Sequence, residues 1–484
     1  MSRPLRIAAD QALSRAAGAP LVAGNAVEIL RDAGENYPAW LDAIRGAERW
    51  IHFESYIIHD DETGARFAEA LIERARAGVS VRVIYDWVGG LGAAWPGFWR
   101  RLAAAGVAVR VFNPPSLRSP LSWLSRDHRK MLAIDGTTAF VTGLCVGDAW
   151  TGDPARGIEP WRDTGVSIRG PAVADVEAAF ADAWLATGAP FPDEERVDVR
   201  DLAPAGDIAL RVIATEPSTT GMFRLDQLVA AAARERLWIT DAYFVGLSAY
   251  VQALTAAARD GVDVRLLVPG GSDIAVVQSL SRAGYRSLLA SGVRVFEWNG
   301  PMIHAKTAVA DGRWARVGST NLNIQSWLGN WELDVAIEDA GFAARMEAMY
   351  EDDLTRATEV VLAASRVRRV EPAPRPKRRR PLRGSAGRAA AGALRLGNTF
   401  GAALTSRRPL GSAEAVTLLN GALAVLALGT AALVWPRAVA WPVGVLLVWL
   451  ALTWLADAWR LWRRGRRRDD DGDPGADEAG DPTR

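Results

Sequence analysis

Two short runs of this 484-residue chain place a histidine, a lysine and an aspartate at one repeated spacing. Asp127-His128-Arg129-Lys130 leads to Asp135-Gly136, and His304-Ala305-Lys306 leads to Asp311-Gly312, so both read His-x-Lys-x-x-x-x-Asp-Gly. The chain holds four histidines (His52, His59, His128, His304) and three lysines (Lys130, Lys306, Lys377), and composition alone does not put two of those lysines two places after a histidine. The residue types define a chemistry. A neutral imidazole can attack phosphorus and form a covalent intermediate, and a second, protonated imidazole can hand its proton to the departing alkoxide. An ammonium two residues along a strand shares the histidine's face, where it can meet the non-bridging oxygens of a phosphodiester. The apolar filling (Met131, Leu132 and Ile134; Ala308 and Val309) predicts two buried strands, each closed by an Asp-Gly turn.

The elements that must position these strands repeat as well. Asn25 to Glu48 reads as a polar start and then a helix, with Leu30, Tyr37, Leu41 and Ile44 on one face. A β-rich run from Trp50 to Ile58 follows, then a helix over Phe67–Ala77, a buried strand over Val79–Asp86, a helix over Trp99–Ala105 and a strand over Val107–Phe112. Arg236–Phe244, Gly261–Val268 and Ser291–Phe296 echo the three strands in the same order. The repeat unit is a whole domain, and two like halves can bring their His-x-Lys strands together only at a shared interface. The expected fold class is α/β: a duplicated domain, each copy a mixed sheet flanked by helices, with the active site between the copies. Glu54, Tyr56, Asp86, Asp241 and Tyr243 lie at strand ends that reach toward this cleft and are expected first as hydrogen-bonding scaffold.

Composition sets the rest of the frame. A chain of this length with 49% hydrophobic residues supports two cores plus accessories, and a single cysteine, Cys145, excludes an intramolecular disulfide and a multi-cysteine zinc site. The net charge of +1 hides segregation: 366–408 is basic and Asp469–Asp481 acidic. Two apolar runs, Ala415–Val434 and Ala438–Ala456, flank Trp435-Pro436-Arg437, and each is long enough to cross a hydrocarbon core of about 30 Å. A C-terminal transmembrane helical hairpin is expected, with arginines on both outer flanks placing both ends toward the cytoplasm. Basic flanks of this kind also attract anionic headgroups. The Pro/Arg linker lacks the aromatic platforms of a nucleic-acid site, so no nucleic-acid partner is expected. Pro114–Leu124 reads as an extra loop, either a lipid-facing lip or a segment packed on its own domain. Ala386–Thr405 reads as an amphipathic helix or a tether. Domains are expected at 1–24 (N-terminal segment), 25–200 and 201–365 (the two halves), 366–411 (linker), 412–459 (hairpin) and 460–484 (tail).

The paired runs resemble the HxKxxxxD motifs of the phospholipase D superfamily, and the chain is most similar to its bacterial cardiolipin synthase-like branch. Gly318-Ser319-Thr320-Asn321 and Asn330-Trp331-Glu332 resemble the family's GSxN and NxE elements, and Trp161-Arg162-Asp163-Thr164 followed by Gly170-Pro171 extends the likeness in the first half. The resemblance covers residues 25 to 365. It implies duplicated phospholipase D-like domains, a phosphohistidine intermediate and no metal or other cofactor. It also implies that His128, Lys130, Asp135, His304, Lys306 and Asp311 form the catalytic set. Of these Asp135 and Asp311 rank lowest, as residues tying down turns. Ser319 and Asn321 would help hold the phosphoryl oxygens, Glu332 would orient His128, and Asp163 would orient His304. His128 is taken as nucleophile and His304 as proton shuttle, although the residues hardly separate these roles. One departure stands out: Thr142-Gly143-Leu144-Cys145 carries Cys145 where the family has Asn, and a thiol is only a weak donor.

The expected activity is phosphatidyl transfer of the cardiolipin synthase type, phosphatidylglycerol plus phosphatidylglycerol giving cardiolipin and glycerol. The alternatives are hydrolysis of a phospholipid to phosphatidic acid, a nuclease, and a catalytically silent lipid-binding membrane scaffold. The expected setting is a bacterial inner membrane, with the chain multi-pass, the catalytic halves facing the cytoplasm and an anionic phospholipid as partner. The oligomeric state is left open.

Overall fold

The computed structural model describes residues 3–115, 124–217, 219–363 and 366–369, together with scattered helical positions between Leu426 and Leu452. One compact unit, Met1–Pro114 with Trp123–Ala415, holds both repeats, and Pro115–Ser122 with Val416–Arg484 forms a second.

In the first half the helices are α1 (Arg3–Ala17), α2 (Asp32–Gly46), α3 (Glu62–Arg76), α4 (Trp87–Gly90), α5 (Pro96–Ala104), α6 (Asp148–Thr151) and α7 (Val173–Ala186). Its strands are β1 (Val22–Arg31), β2 (Trp50–Ser55), β3 (Ser80–Asp86), β4 (Ala108–Phe112), β5 (Arg126–Asp127), β6 (Lys130–Ile134), β7 (Thr138–Thr142) and β8 (Thr164–Arg169). The second half has strands β9 (Ile208–Thr215), β10 (Arg236–Thr240), β11 (Asp263–Pro269), β12 (Arg294–Trp298), β13 (Thr307–Ala310), β14 (Trp314–Gly318), β15 (Asn330–Glu338), β16 (Ala357–Ala363) and β17 (Arg366–Arg369). Its helices are α8 (Gly221–Ala232), α9 (Ser248–Arg259), α10 (Ala275–Leu289), α11 (Ile324–Leu328) and α12 (Ala340–Thr355).

Pairing runs β4-β3-β2-β6-β7-β8-β1 in the first half. In the second it runs β9-β15-β14-β13-β10-β11-β12-β16-β17. β1 pairs antiparallel with β9 and joins the two sheets edge to edge. β2-β3-β4 and β10-β11-β12 are parallel, with helices crossing between successive strands, while each His-x-Lys strand enters antiparallel. Both hairpins turn on Asp-Gly with positive φ at each residue, 53° and 68° at Asp135-Gly136 and 50° and 62° at Asp311-Gly312. That backbone matches the right-handed twist of the flanking strands.

A core shared by both halves packs Val141, Val166 and Ile168 with Val212, Val317, Leu333 and Val335, under α7 and α12. Leu333 is fully buried there, so truncation to Ala costs about 2–5 kcal/mol. Two outer cores lie beneath α2, α3 and α5 and beneath α8, α9 and α10.

Three boundaries differ from the expectation. Val22–Arg31 is a strand where a polar start and helix were expected, because its backbone groups are claimed by β8 and β9 from elsewhere in the chain. The N-terminal segment includes α1, whose Leu13 and Ala17, with Ala19 just beyond it, join the core of the second half. The linker expected from residue 366 begins with β17, paired to β16. Among the described residues no helix is long and apolar enough to cross a membrane. The expected hairpin, apart from its scattered positions, lies outside the described residues. So do the linker beyond Arg369, the helix expected over 386–405, the tail, and 116–123 of the extra loop.

Candidate active site

Each histidine is held by the opposite half. His128 Nδ1 lies 2.8 Å from Glu332 Oε2, and the His128 amide donates to Trp331 O at 2.8 Å. His304 Nδ1 lies 2.7 Å from Asp163 Oδ2, and the His304 amide donates to Arg162 O at 2.7 Å. Short parallel pairings, Arg126-Asp127 beside Asn330-Trp331 and Arg162 beside Ile303, fix this exchange. A carboxylate on Nδ1 sets the tautomer and presents Nε2 for chemistry.

The lysines follow their histidines along the strand. Lys130 Nζ donates to His128 O and sits 5.2 Å from the Tyr56 ring centroid; Lys306 Nζ donates to His304 O and sits 5.8 Å from that of Tyr243. The same tyrosines meet the histidine rings, Tyr56 at 5.0 Å from His128 and Tyr243 at 5.8 Å from His304. Among the described residues neither ammonium forms an ion pair, so both charges remain available to an anion. Burial pushes both lysines down, Lys306 to about 8. Burial, then the charges of Lys306 and Lys130, lower His304 to about 4, leaving the ring neutral at neutral pH. Burial acts to raise Asp163, but His304 and Lys306 outweigh it and hold the carboxylate low. Glu332 is raised by burial to about 7, against the pull of Lys130, Ser319 and Asn330. The crossed contacts, His128 with Trp331 and Glu332 and His304 with Arg162 and Asp163, bring both motifs into one cluster at the interface.

The remaining predicted residues separate into groups. Asn321 is buried, and its Oδ1 lacks a hydrogen-bond partner among the described residues; a phosphate oxygen would be met by the Nδ2 donor of the same amide. Ser319 serves the carboxylate instead: Oγ donates to Glu332 Oε2 at 2.6 Å and accepts from Leu333 N at 2.9 Å. Asp135 and Asp311, expected in the catalytic set, are not in the cluster. Asp135 accepts from the amides of Glu48, Arg49 and Trp50, and Asp311 from those of Arg234, Glu235 and Arg236. Each stands at the far end of its strand, about 17 Å along β6 in the case of Asp135. The seven-residue spacing that looks catalytic is therefore the length of a strand plus its turn.

The two sides differ in ways that sequence spacing did not reveal. Trp150 Nε1 donates to Asp163 Oδ2 at 3.2 Å, and the rings of Trp150 and Trp161 each lie 5.7 Å from that of His304. Gly143 leaves room for Asp163, since a Cβ there would lie 2.3 Å from Oδ1. Cys145 is buried in the reach of Lys130 and Lys306, and burial raises its thiol, so this position offers no anion and little donor strength. Arg129, the variable residue of the first motif, is fully buried and donates to Glu332 O, Ala179 O and Thr215 O at 3.3, 2.7 and 3.4 Å. Beneath it Glu54 and Asp127 face each other; burial raises both, Glu54 furthest, so the pair shares a proton that Glu54 keeps. Asp86 caps α4 and accepts from Asp127 N, while Asp241 accepts from Tyr243 N and Leu322 N, both as scaffold.

Two like α/β halves that exchange a histidine and a carboxylate across one interface define a phospholipase D-like fold. A family described as cardiolipin synthase, PLD-like domain, matches residues 40–147 and 227–354. Cardiolipin synthase A of Pseudomonas fluorescens (strain SBW25) is 34% identical over 358 residues, 72% of this chain and 72% of that protein. Cardiolipin synthase of Alkalihalophilus pseudofirmus is 31% identical over 350 residues, 70% of this chain and 68% of that one. The crystal structure of phosphatidylserine synthase from Haemophilus influenzae Rd KW20 superposes with a TM-score of 0.58 over 72% of this chain and 91% of its own, at 14% identity. The chain belongs to the cardiolipin synthase branch of the phospholipase D superfamily.

Proposed function

We propose that the protein transfers a phosphatidyl group from one phosphatidylglycerol to another, giving cardiolipin and glycerol. The observation that carries this reading is the pair of reciprocal histidine–carboxylate bonds, with two ammonium groups beside them. The relatives named cardiolipin synthase supply the substrate class.

The diester phosphate settles between Lys130 and Lys306, with Asn321 donating to a non-bridging oxygen. His128, the more accessible ring, attacks phosphorus through Nε2, with Glu332 holding Nδ1. The bond from phosphorus to the headgroup oxygen breaks, and His304 gives its proton to the departing glycerol. In the free protein burial, with the two ammonium charges, holds His304 neutral; the single negative charge of the arriving diester offsets part of that positive field, so the ring takes up a proton from solvent for the leaving group. The terminal hydroxyl of a second phosphatidylglycerol then loses its proton to His304 and attacks the phosphohistidine. The phosphorus–nitrogen bond breaks, cardiolipin leaves, and both rings return to their starting state.

The membrane hairpin and the cytoplasmic face of the catalytic halves belong to this proposal. Support comes from the apolar runs with their arginine flanks, and from Trp441, Val445, Val448 and Leu452, exposed at helical spacing. The test is to supply the purified full chain with phosphatidylglycerol and follow products. Glycerol with a four-chain lipid supports transfer, phosphatidic acid replaces it with hydrolysis, and tight binding without turnover leaves a scaffold. A phosphatidyl ester with a p-nitrophenol leaving group, which needs little acid help, assigns the histidines: it should label His304→Ala and not His128→Ala.

A further inference from the structure

The rim of the site exposes four large apolar side chains. β2, β3 and β4 are parallel, and β7 runs with them because β6 is antiparallel to both β2 and β7. The chain leaving each of these strands therefore emerges at the edge where Lys130 begins β6. Trp95 follows β3 and is 77% exposed, Leu124 follows β4 at 37%, and Ile158 follows β7 at 41%. In the second half Leu328 follows β14 at 38%. These positions lie in the loops that carry the chemistry: Leu124 shortly precedes His128, Ile158 precedes Asp163, and Leu328 precedes Glu332.

Hydrogen bonds join these loops in two pairs, and Asp127 N, donating to Asp86 Oδ2 at 2.9 Å, ties the chain after β4 to the start of the chain after β3. Asp60 N donates to Ala93 O at 2.9 Å, and Asp148 N to Asp61 Oδ2 at 2.8 Å, linking the Trp95 loop to the Ile158 loop through the chain after β2. Gln325 Nε2 donates to Leu124 O at 3.2 Å, linking the Leu124 and Leu328 loops. Some acidic groups of the border are engaged, while Asp60 and Glu62 stay exposed. Asp61 and Asp148 accept from the amides of Gly64 and Thr63, Asp153 pairs with Arg156, and Glu159 with Arg356. Arg100 and Arg101 stand exposed one turn beyond Trp95.

We infer that this border is a docking surface for a lipid bilayer, with Trp95 and the three aliphatic tips seated at the headgroup–acyl boundary. Tryptophan suits that boundary because its ring is apolar and its N–H is polar, and arginines beside it meet phosphate. Seated this way, the cleft opens onto the headgroups, and a phospholipid can present its phosphate to Lys130 and Lys306 while its acyl chains stay in the membrane. The choice of occupant rests on the phosphatidyl-transfer reading and on the border's continuity with the site.

The test uses the full chain reconstituted in phosphatidylglycerol vesicles, so the C-terminal segment is the same in every sample. A Trp95→Ser/Leu124→Ser/Ile158→Ser/Leu328→Ser variant should turn over vesicle phosphatidylglycerol at least 10-fold more slowly. It should keep turnover within about twofold on a phosphatidylglycerol with four-carbon acyl chains, which stays in water. Equal losses on both substrates, or none on either, overturn the inference. A second readout needs no activity, so failure of the transferase reading remains distinguishable. An environment-sensitive dye on Trp95→Cys should be quenched by nitroxide lipids in the bilayer, while the same dye on Val199→Cys should not. Val199 is exposed near Val197, which packs on the Asp-Gly turn at the opposite edge. Equal quenching at both sites, none at position 95, or a shift that follows protein concentration in lipid-free detergent as a second copy would produce, overturns it.

Discussion

Glu332 reaches across the interface between the two halves to His128, its Oε2 2.8 Å from Nδ1, while Ser319 and Asn330 hold the same carboxyl from its own half. The bond makes neither half a complete site. Glu332→Gln should keep the fold and cut kcat about 10³-fold, because an amide can set the wrong tautomer and cannot stabilise an imidazolium. Asp163→Asn should do the same to His304. Steady-state rates with unchanged thermal melting check both, and a loss of less than about tenfold would assign these carboxyls to architecture.

Asp135 and Asp311 should behave in the opposite way. Each accepts from three successive backbone amides at the start of β2 or β10, so Asp135→Ala or Asp311→Ala strands those donors. The expected cost is about 1–3 kcal/mol of stability in each case. The kcat of the folded fraction should stay within about threefold. Denaturant titration beside kinetics separates the two effects.

Phosphate binding should be one-sided. Asn321 offers a buried amide where the other half offers the Cys145 thiol, so Asn321→Ala should cost about 10–100-fold in kcat/KM and Cys145→Ala less than about threefold. Cys145→Asn would place a second amide between the ammonium groups and should lower KM. Equal effects of the two alanine variants would show that both sides bind.

The pH dependence follows from burial. Lys306 is held at about 8, so its positive charge is lost as pH rises through that value, and kcat/KM for an anionic diester should fall there. Lys306→Arg should move this limb upward even if it lowers the plateau. Stability carries two opposed contributions. His304 takes a proton at 6.5 when unfolded but only at about 4 when folded, so this group adds stability as pH rises between those values. Glu332 takes a proton at 4.5 when unfolded and at about 7 when folded, so it removes stability over that rise. In His304→Asn only the second remains, and Tm relative to the parent should fall as pH goes from about 5 to 6.5. A parallel pair of Tm curves would show that folding leaves the pKa of His304 unchanged.

Much of this was legible because it is local. The duplicated His-x-Lys spacing, the apolar filling and the Asp-Gly turns specify two strands with histidine and lysine on one face, since side chains alternate along a strand. The order of the surrounding strands specified the duplication. Boundaries failed where distant partners decide: Val22–Arg31 is a strand because β8 and β9 flank it, and no periodicity within it says so.

By itself the sequence determined that two imidazole–ammonium pairs exist, that each lies on a buried strand, and that the fold is doubled. Only the tertiary structure decided which aspartates serve chemistry and which serve turns, that Arg129 and Trp150 support the site, and that exposed apolar tips gather on one border. The physical reason is range. Periodicity and turn geometry act over a few residues, whereas the bonds that tune His128 and His304 join positions 204 and 141 residues apart and exist only once the halves meet.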